Sequence, residues 1–346
     1  MATIRDVARR AGVSVATVSR VVNHSAHRVS PQTRRRVLEA VRALGYQANV
    51  IAQSLKKRAS RTVALIVPDI SNPFFPAIAR GIEDVASQHG YAVLLCNTYE
   101  DLARERAYLD LLRKRWVDGV IFATAGTNTA HLRALRREGR PVVLVARDVD
   151  GVRIDAVLVD NYHGAYEATA HLLRLGHRRI AHIAGPASVR VAQERRRGYE
   201  QALADAGLPR DGALVGEGDF TADGGRRAVE AWLRRRADIT AIVAANDLMA
   251  IGALEVLRAA GRRVPEDVAV VGFDDITFAS LVSPALTTVA QPKYRMGQLA
   301  MQRLLELMAG ESPAGRRIVL EPQLIVRDSC GARRAVIIPP GGRTRA

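Results

Sequence analysis

The chain has 346 residues, of which 48% are hydrophobic and 25% are charged, and its formal net charge is +16. Such a length predicts two or more domains with buried cores. Apolar runs such as residues 63–67 are much shorter than the ~20 residues of a membrane-spanning helix, and residues 1–6 contain no apolar signal stretch. We therefore expect a cytoplasmic protein. The two cysteines, Cys96 and Cys330, lie far apart in the sequence, which favours reduced thiols over a disulfide or a metal site.

The positive charge is concentrated near the ends of the chain. Residues 1–60 contain twelve Lys and Arg but only two acids, and residues 331–346 contain four Arg and no acid. The remaining 270 residues carry a net charge of only +2. This asymmetry indicates a module that neutralises phosphates, joined to a larger one that does not.

The first predicted helix follows Thr3. Apolar residues recur at i, i+3, i+4 and i+7 from Ile4 to Ala11, which is the spacing of one helix face. Thr3 is the predicted N-cap, with Asp6 as its acidic partner at the third helical position. Gly12 is expected to end the helix.

Two more helices are predicted before residue 47. The second has three valines on one face, Val18, Val21 and Val22. Ser14 can cap this second helix. Ser30 followed by Pro31 predicts the start of the third helix, because proline suits the first helical position. Residues 1–47 therefore predict a three-helix unit.

Residues 48–60 predict a linker. This segment contains Lys56, Lys57 and Arg58, and isolated helices shorter than ~12–15 residues are marginal in water. A basic, disordered tail is predicted for residues 331–346, which include Pro339 and Pro340.

Between residues 61 and 330, short β-branched runs alternate with amphipathic helical stretches. The predicted strands are residues 63–67, 92–96, 119–123, 142–145, 180–183, 241–244 and 268–273. Such alternation indicates an α/β architecture with parallel sheets. Two groups of these units predict two similar lobes, and residues 291–307 could cross back from the second lobe to the first.

Ordered motifs along the chain resemble those of the LacI/GalR family of transcription regulators. They are ATIRDVARRAGVSVATVSRVVN at residues 2–23, PDISNPFF at 68–75, GHRRI at 176–180, GFDD at 272–275 and PALTT at 284–288. The resemblance covers the chain apart from its tail. It implies an all-α helix-turn-helix headpiece followed by an α/β core of two parallel-sheet lobes, like that of periplasmic binding proteins. It also implies a sequence-specific DNA-binding regulator, most often a repressor, whose operator affinity is controlled by a small ligand.

The headpiece contains candidate DNA-binding residues. In a helix-turn-helix the second helix lies in the major groove, and its N-terminal side chains meet base edges. Arg20 could donate two hydrogen bonds to a guanine, and Val15 and Ala16 could contact a thymine methyl. Packing against the protein itself stays open for Val15 and Ala16. The resemblance assigns phosphate contacts to Ser14, Thr17, Ser19, Asn23 and His27, although His27 could equally be a solvated loop residue.

The resemblance also gives the linker a role on DNA. In the family a linker helix forms on the operator and a leucine wedges into the minor groove; Leu55 occupies that place here, with Lys56 beside it. Two-fold symmetric dimers read pseudo-palindromic duplexes, so we expect a homodimer on double-stranded operator DNA. Tetrameric members of the family add a C-terminal heptad helix, for which residues 331–346 show no pattern.

A small-ligand site is predicted between the lobes, because ligands of open parallel sheets bind beyond the carboxyl ends of the strands. Asp148 and Asp160 are predicted from such positions, as are Asn246, Asp247, Asp274 and Asp275. By resemblance the other ligand-binding residues are Phe75, Arg195, Phe220, Asn246 and Asp274. Arg147 and Arg190 are further candidates. A helix N-cap is the alternative role for Asp247, Asp274 and Asp275.

A sugar or sugar derivative is the favoured ligand. Asn246 together with Asp274 suits a hydroxyl-rich ring, and the Val15-Ala16 pair resembles that of sugar-responsive members of the family. A purine or nucleoside stays open, since aromatic side chains and a carboxylate would serve it too. We expect no cofactor and no metal.

Other classes of protein explain less of the sequence. It contains no phosphate-binding loop, no His-Glu-x-x-His zinc motif and no nucleophile elbow, so we expect no catalytic residues. A solute-binding protein would share the two-lobed core but would need a signal sequence and no basic headpiece. A sequence-blind DNA binder would explain the charge but not the cleft. We expect a nucleoid-associated regulator without a membrane partner.

Overall fold

The computed structural model describes residues 2–22, 29–46, 60–99, 101–114, 117–124, 130–149, 151–311 and 315–332. The chain divides into two compact units, Met1–Ser60 and Arg61–Ala346. Nearly all of the predicted linker 48–60 and the predicted tail 331–346 lies outside the described residues. Four predicted DNA contacts lie outside them as well, namely Asn23, His27, Leu55 and Lys56.

The first unit contains three helices in its described ranges, α1 (Ile4–Ala11), α2 (Val15–Val22) and α3 (Pro31–Ala43). Their ends follow the local sequence signals. The Thr3 side chain accepts a hydrogen bond from the Asp6 N–H, and the Asp6 carboxylate accepts one from the Thr3 N–H at 2.9 Å, which is a capping box. Gly12 ends α1 in the left-handed region, at φ +62°, where a side chain would be strained.

A small aliphatic core holds the three helices together. Val7, Val18 and Val37, one from each helix, are fully buried. Ser30 caps α3, with Pro31 at its first turn as predicted. Because Val18 and Val21 of α2 face this core, the opposite face of α2 is left for solvent.

The second unit alternates strands and helices. In chain order its first elements are β1 (Thr62–Val67), α4 (Phe74–Gln88), β2 (Ala92–Asn97), α5 (Leu102–Lys114), β3 (Gly119–Phe122), α6 (Ala130–Arg137), β4 (Val142–Val145) and β5 (Asp155–Val159). The next are α7 (Asn161–Arg174), β6 (Ile180–Ala184), α8 (Arg190–Asp205), β7 (Val215–Glu217), α9 (Ala222–Arg234), β8 (Ala241–Ala244), α10 (Asp247–Ala259), β9 (Ala269–Asp274) and β10 (Thr287–Ala290). The last in the described ranges are α11 (Lys293–Ala309), β11 (Arg317–Leu320) and β12 (Gln323–Ile325).

The strands form two sheets of six described strands, and each sheet is the centre of one lobe. The order in lobe 1 is β11-β5-β4-β3-β1-β2, and all neighbours are parallel. The order in lobe 2 is β12-β10-β9-β8-β6-β7, where β12 is antiparallel to β10 and the other pairs are parallel. The two-lobed architecture predicted from the sequence is therefore confirmed.

Inside the described ranges the chain passes between the lobes at three places. After β5 it enters α7, which packs against α8 and the sheet of lobe 2. After β10 it enters α11, which packs against α4 and the sheet of lobe 1, as predicted for residues 291–307. The third passage joins β11 to β12. We call residues 159–161, 290–293 and 320–323 the first, second and third crossover.

Glycine allows the helices that follow the first two crossovers to pack closely. A Cβ atom on Gly81 of α4 would lie 2.2 Å from the carbonyl oxygen of Tyr294 in α11. A Cβ atom on Gly198 of α8 would lie 2.2 Å from the carbonyl oxygen of Tyr162 in α7. Neither position has room for a side chain, so each of these helices is held tightly to its own lobe.

Candidate functional site

Helix α2 exposes the residues predicted to read DNA. Val15, Ala16 and Arg20 are all exposed, and Val15 leaves 42% of its surface accessible although its side chain is apolar. Val18 and Val21 on the other face are buried. This exposure argues against internal packing of Val15 and Ala16 and leaves their face of the helix available to a partner.

Ser14 has a structural role at the start of α2. Its Oγ accepts a hydrogen bond from the Thr17 N–H at 3.1 Å and lies 2.9 Å from Thr17 Oγ1. Ser14 therefore caps the helix, as predicted. Thr17 and Ser19 are half-buried, so less of their surface is available to a phosphate than that of Ser14.

The surface of this unit is strongly basic. Exposed arginines occur on all three helices: Arg5, Arg9, Arg10, Arg20, Arg35, Arg36 and Arg42. Asp6 partly offsets this charge near Arg9, from which it lies 3.7 Å. Such a surface suits a partner that carries regularly spaced negative charge, as a nucleic acid does.

Side chains from the carboxyl ends of the two sheets meet between the lobes. Asp148, which follows β4 in lobe 1, lies 3.4 Å from a guanidinium nitrogen of Arg190 in lobe 2. The guanidinium of Arg147 lies 5.7 Å from the ring centre of Phe220, which follows β7 in lobe 2. These contacts define one cleft between the carboxyl ends of the strands.

Arg195, on α8, is the centre of a buried polar cluster at this cleft. It is 5% exposed, and its Nε donates to Asn161 Oδ1 at 2.9 Å. Its Nη1 donates to the carbonyl oxygen of Ala245 and lies 3.6 Å from Asp274 Oδ1. The guanidinium stacks 3.7 Å from the ring centre of Phe273. Arg195 and Asp274 are both predicted from the sequence as site residues, and the structure brings them together.

Asp274 is held from several sides. Gln291 Nε2 donates to its Oδ1 at 2.7 Å, and Lys293 Nζ donates to the carbonyl oxygens of Asp274 and Asp275. The backbone of Asp274 lies at φ +118°, a conformation that residues with a Cβ atom rarely adopt. Strained backbone of this kind occurs most often at binding sites, where surrounding contacts maintain it.

Asp247 is a second buried carboxylate in the cluster. It is fully buried, and its two oxygens accept hydrogen bonds from Thr288 Oγ1 at 2.5 Å and from the Ile276 N–H at 2.8 Å. The alternative role considered for Asp247, a helix N-cap, belongs instead to Asn246.

Burial shifts the pKa values of this cluster toward the neutral forms. It raises the pKa of Asp247 well above its usual value, with repulsion from Asp274 adding to the effect. It also raises the pKa of Asp274 and lowers that of Lys293. Burial lowers the pKa of Arg195 to about 10, although Asp274 acts in the opposite direction. Charges at the cleft are therefore poorly hydrated, and each depends on its protein partners.

Two predicted ligand residues cap helices. Asn246 Oδ1 accepts from the Met249 N–H at 3.0 Å, and its Nδ2 donates to the carbonyl oxygen of Phe220 at 2.9 Å. Asp160 is exposed, and its Oδ1 accepts from the His163 N–H at 2.9 Å at the start of α7. Asn246 thus lies at the cleft beside Phe220, whereas Asp160 caps α7 from an exposed position.

The remaining predicted residues differ in accessibility. Phe75, in the first turn of α4, is 3% exposed and packs edge-on against Phe74 at 5.1 Å between ring centres. Phe220 is half-buried at φ +64° and lies against Gly185, where a Cβ atom would approach its ring to 2.4 Å. Asp148 is 7% exposed and also contacts Arg317.

Three members of the cluster were not predicted from the sequence: Asn161, Gln291 and Lys293. Asn161 follows β5 and Gln291 follows β10, and neither of these strands is predicted from the sequence pattern. Had those strands been recognised, the polar residues at their carboxyl ends would have been candidates on the same grounds as Asp274.

Metal and membrane sites receive no support from the described ranges. Within them no three His, Cys, Asp or Glu side chains are grouped so as to hold a metal ion. The helices of these ranges are all too short or too polar to cross a bilayer.

A basic three-helix unit with an exposed reading face, followed by a two-lobed core with a polar cleft, defines a ligand-responsive DNA-binding regulator. Comparison with known families agrees. Residues 3–49 match the model of bacterial regulatory proteins of the lacI family, and residues 60–325 match that of periplasmic binding proteins and the sugar binding domain of the LacI family. The chain belongs to the LacI family.

Individual relatives are similar over nearly their whole length. The chain is 38% identical to the HTH-type transcriptional regulator DegA of Bacillus subtilis (strain 168), over 94% of this chain and 97% of that protein. The Lac repressor dimer bound to operator and the anti-inducer ONPF superposes with a TM-score of 0.86 at 31% identity, covering 95% and 99% of the two chains. The complex of the transcriptional regulator CelR with cellobiose has a TM-score of 0.74 at 39% identity, covering 95% and 100%. The chain is thus a transcriptional regulator rather than an enzyme.

Proposed function

We propose that this regulator is a homodimeric repressor of pseudo-palindromic operators, and that a sugar or sugar derivative bound between its lobes sets its affinity for DNA. The observation that carries the ligand proposal is the buried Arg195–Asp274 pair at the cleft, 3.6 Å between Nη1 and Oδ1. A guanidinium and a carboxylate side by side present donors and an acceptor to one ligand.

A sugar matches this combination of groups. Each hydroxyl both donates and accepts hydrogen bonds, so neighbouring hydroxyls can use Arg195 and Asp274 together. Phe220 supplies a half-buried ring for the apolar face of a pyranose or furanose. Asp148 and Arg190, which meet from opposite lobes, would lie at the mouth of the cleft. The cellobiose complex of CelR supports the same ligand class.

A purine or nucleoside is the second candidate, and Phe220 is the observation that favours it. An aromatic ring beside carboxylates could stack on a base while the carboxylates bind its ribose or exocyclic amine. Because sugars and nucleosides can be tested side by side for binding, a single screen distinguishes these two candidate ligand classes.

For DNA, we propose that Val15, Ala16 and Arg20 read base edges while Ser14, Thr17 and Ser19 approach phosphates. The exposure of the first three residues supports this division. Asn23 and His27 are proposed as further phosphate contacts, Leu55 as the minor-groove wedge and Lys56 as its phosphate neighbour; all four lie outside the described residues.

Dimerisation is supported by an exposed apolar edge of lobe 1. β2 is an edge strand, and Leu94 and Leu95 on it are 36% and 43% exposed, with Tyr99 just beyond it at 62%. Exposed apolar groups at a sheet edge usually mark an interaction surface. The dimeric Lac repressor on operator DNA supports the same arrangement.

Residues of the candidate ligand site are bonded to the connections between the lobes. Arg195 is bonded to Asn161 of the first crossover, and Asp274 to Gln291 of the second. A ligand that contacts the pair can therefore favour one arrangement of the crossovers and so one angle between the lobes. A change in that angle would alter the spacing of the paired linkers, with a coupling free energy of ~1–3 kcal/mol that acts equally in both directions. Such a regulator works on chromosomal DNA, so we place it in the cytoplasm at the nucleoid.

The proposal is tested by a thermal-shift screen of sugars and nucleosides on the full-length protein, because a ligand that binds the native state raises its melting temperature. A compound that raises the melting temperature is then added in a footprinting experiment on the DNA upstream of the regulator's gene. We expect protection of one palindrome and a change of protection on addition of the compound. Uniform protection along the duplex would overturn the operator assignment, and a screen in which nucleosides alone give shifts would overturn the sugar assignment.

A further inference from the structure

A second cavity lies in lobe 2, away from the cleft. Its volume is about 450 Å³, and Ile180, the first residue of β6, forms part of its wall. The cleft lies at the carboxyl ends of the strands, so the length of β6, roughly 13 Å at 3.3 Å per residue, separates the two. Pockets for small molecules usually have volumes of about 300–1,000 Å³, and this cavity falls in that range.

The floor of this cavity, which we call the amino-end pocket, is apolar. Tyr199, Leu203, Leu214 and Ile180 line it and are all nearly fully buried. The Tyr199 hydroxyl donates to the carbonyl oxygen of Ile180 at 2.8 Å, which fixes the ring in place. The floor therefore consists of aromatic and aliphatic groups that are packed into the core of lobe 2 and leave only a small area accessible.

The rim of the amino-end pocket is basic. Three exposed arginines, Arg178, Arg179 and Arg210, stand around it. Asp211 is the acid among its lining residues, and one of its oxygens already accepts from the Ala213 N–H at 2.9 Å.

The nearby carboxylates offset this rim only in part. Asp211 approaches Arg179 to 3.7 Å. Glu200 lies 3.7 Å from Arg210 but is closer to Arg196, at 2.7 Å. The Arg179–Asp211 and Arg210–Glu200 pairs are each 3.7 Å long, and their arginine side chains are 47% and 62% exposed, so the carboxylates hold these two guanidinium groups weakly.

We propose that the amino-end pocket binds a small organic anion, with an aromatic or branched aliphatic body on the floor and a carboxylate or phosphate at the rim. An apolar floor favours the body because it removes apolar surface from water. Planar guanidinium groups favour the head because each can donate two parallel hydrogen bonds to a carboxylate or a phosphate. The site is separate from the effector cleft, and the inference does not rest on the identity of the effector.

Four probes separate the contributions of body and head. Benzoate and phenyl phosphate combine a ring with a charge, benzyl alcohol has the ring alone, and inorganic phosphate has the charge alone. We titrate each into the full-length protein by calorimetry. We expect both ring anions to bind at least tenfold more tightly than either control, and the stronger of the two identifies the preferred head group. Equal affinity for benzyl alcohol, equal affinity for inorganic phosphate, or no binding of either ring anion at millimolar concentration would overturn the proposal.

Variants locate the bound anion. Arg178→Gln/Arg210→Gln removes two rim charges from exposed positions, and we expect it to weaken binding of the preferred anion at least tenfold. Arg174→Gln/Arg234→Gln removes the same charge elsewhere on lobe 2 and is expected to leave the affinity within twofold. Arg190→Gln, which removes a cation at the cleft, should also leave it unchanged. If the cleft variant abolishes anion binding while the rim variant does not, the anion occupies the cleft and the second site is refuted.

Discussion

Arg195 Nη1 lies 3.6 Å from Asp274 Oδ1 at the cleft, and each of these two residues is also bonded to a residue of a different crossover. Asn161 of the first crossover accepts from Arg195, and Gln291 of the second donates to Asp274. The ion pair is therefore the point at which the two lobes, two of their connections and the candidate ligand site coincide.

Arg195→Met should remove the ligand response and destabilise the core. It leaves Asp274 buried without its cationic partner, and removing one member of a buried ion pair usually costs about 3–5 kcal/mol. Urea denaturation gives the loss of stability, and the thermal shift with a positive ligand gives the response. Arg196→Met is the matched control: the Arg196 side chain is 50% exposed in its pair with Glu200, so a change of at most about 1 kcal/mol is expected. A ligand shift of wild-type size in Arg195→Met would remove Arg195 from the site.

Arg20→Gln should relax base preference at one position of each half-site. A bidentate arginine–guanine contact contributes about 1–3 kcal/mol of discrimination, which a shorter neutral side chain cannot reproduce. Binding to a set of operators with single base changes measures the preference by fluorescence anisotropy. Arg42→Gln, in the last turn of α3, removes the same charge from another helix and should weaken all operators alike. An unaltered preference profile in Arg20→Gln would mean that the side chain contacts phosphate instead.

Leu55→Ala should weaken operator binding while sparing the ligand. A wedge that opens a base step contributes to affinity only on DNA, so its truncation has no route to the cleft. Operator affinity and the ligand thermal shift are measured on the same preparation. Lys57→Ala serves for comparison, because its loss should act through salt-dependent phosphate attraction. Wild-type operator affinity in Leu55→Ala would refute the wedge.

Leu95→Glu should produce monomers. It places a charge on the exposed apolar edge strand β2, where a dimer would have to bury it without a partner. Analytical ultracentrifugation across a range of concentrations gives the dissociation constant, which should rise at least a hundredfold. Val319→Glu is the control, since Val319 is 56% exposed on β11 at the opposite edge of the same sheet. If Val319→Glu dissociates the dimer and Leu95→Glu does not, the interface lies at the other edge.

His182 should make the core less stable in mild acid. It is fully buried on β6, where its ring stacks on Tyr199 and its Nδ1 donates to the carbonyl oxygen of Val243 at 2.9 Å. Burial lowers the pKa of His182 from 6.5 to about 4. Below pH 6.5 the unfolded chain binds a proton that the folded chain refuses until about pH 4, so this contribution to stability is present at neutral pH and is lost as the pH falls.

The lowered pKa of His182 reduces the free energy of unfolding by about 2 kcal/mol between pH 7 and pH 5. Urea denaturation at pH 7, 6 and 5 measures it. His182→Asn keeps a side-chain donor for the Val243 carbonyl but cannot titrate. Its free energy of unfolding should therefore fall by about 2 kcal/mol less than that of the wild type over this pH range. The exposed His163→Asn should follow the wild-type profile. Identical pH profiles for wild type and His182→Asn would exclude His182 as the source.

Local signals predicted much of the fold. The caps at Thr3, Ser14 and Ser30 involve contacts within three residues, so the sequence contains all that determines them. All seven predicted strands are present to within one residue at either end. The strands β5, β7, β10, β11 and β12 were not predicted, because short runs such as these depend on neighbours from distant parts of the chain.

Local sequence signals also predicted part of the candidate site. Arg195 and Asp274 follow from motifs and from the end of a recognisable strand. Asn161, Gln291 and Lys293 enter the cluster from crossovers, and only the path of the chain between the lobes brings them there. Asn246 illustrates the converse: its position at a strand end is correct, but both groups of its amide are engaged in capping α10 and holding Phe220.

The path of the chain also sets the order in which the lobes can be completed during translation. The first five strands of lobe 1 leave the ribosome before any strand of lobe 2. However, α11 and β11, which cover and extend the sheet of lobe 1, lie within residues 293–320. Until then the apolar surface that receives Met296, Ala300, Met301 and Leu304 stays uncovered. The lobe that begins first therefore remains unfinished until residues 293–320 have been made, and during that interval its uncovered apolar surface is prone to aggregation.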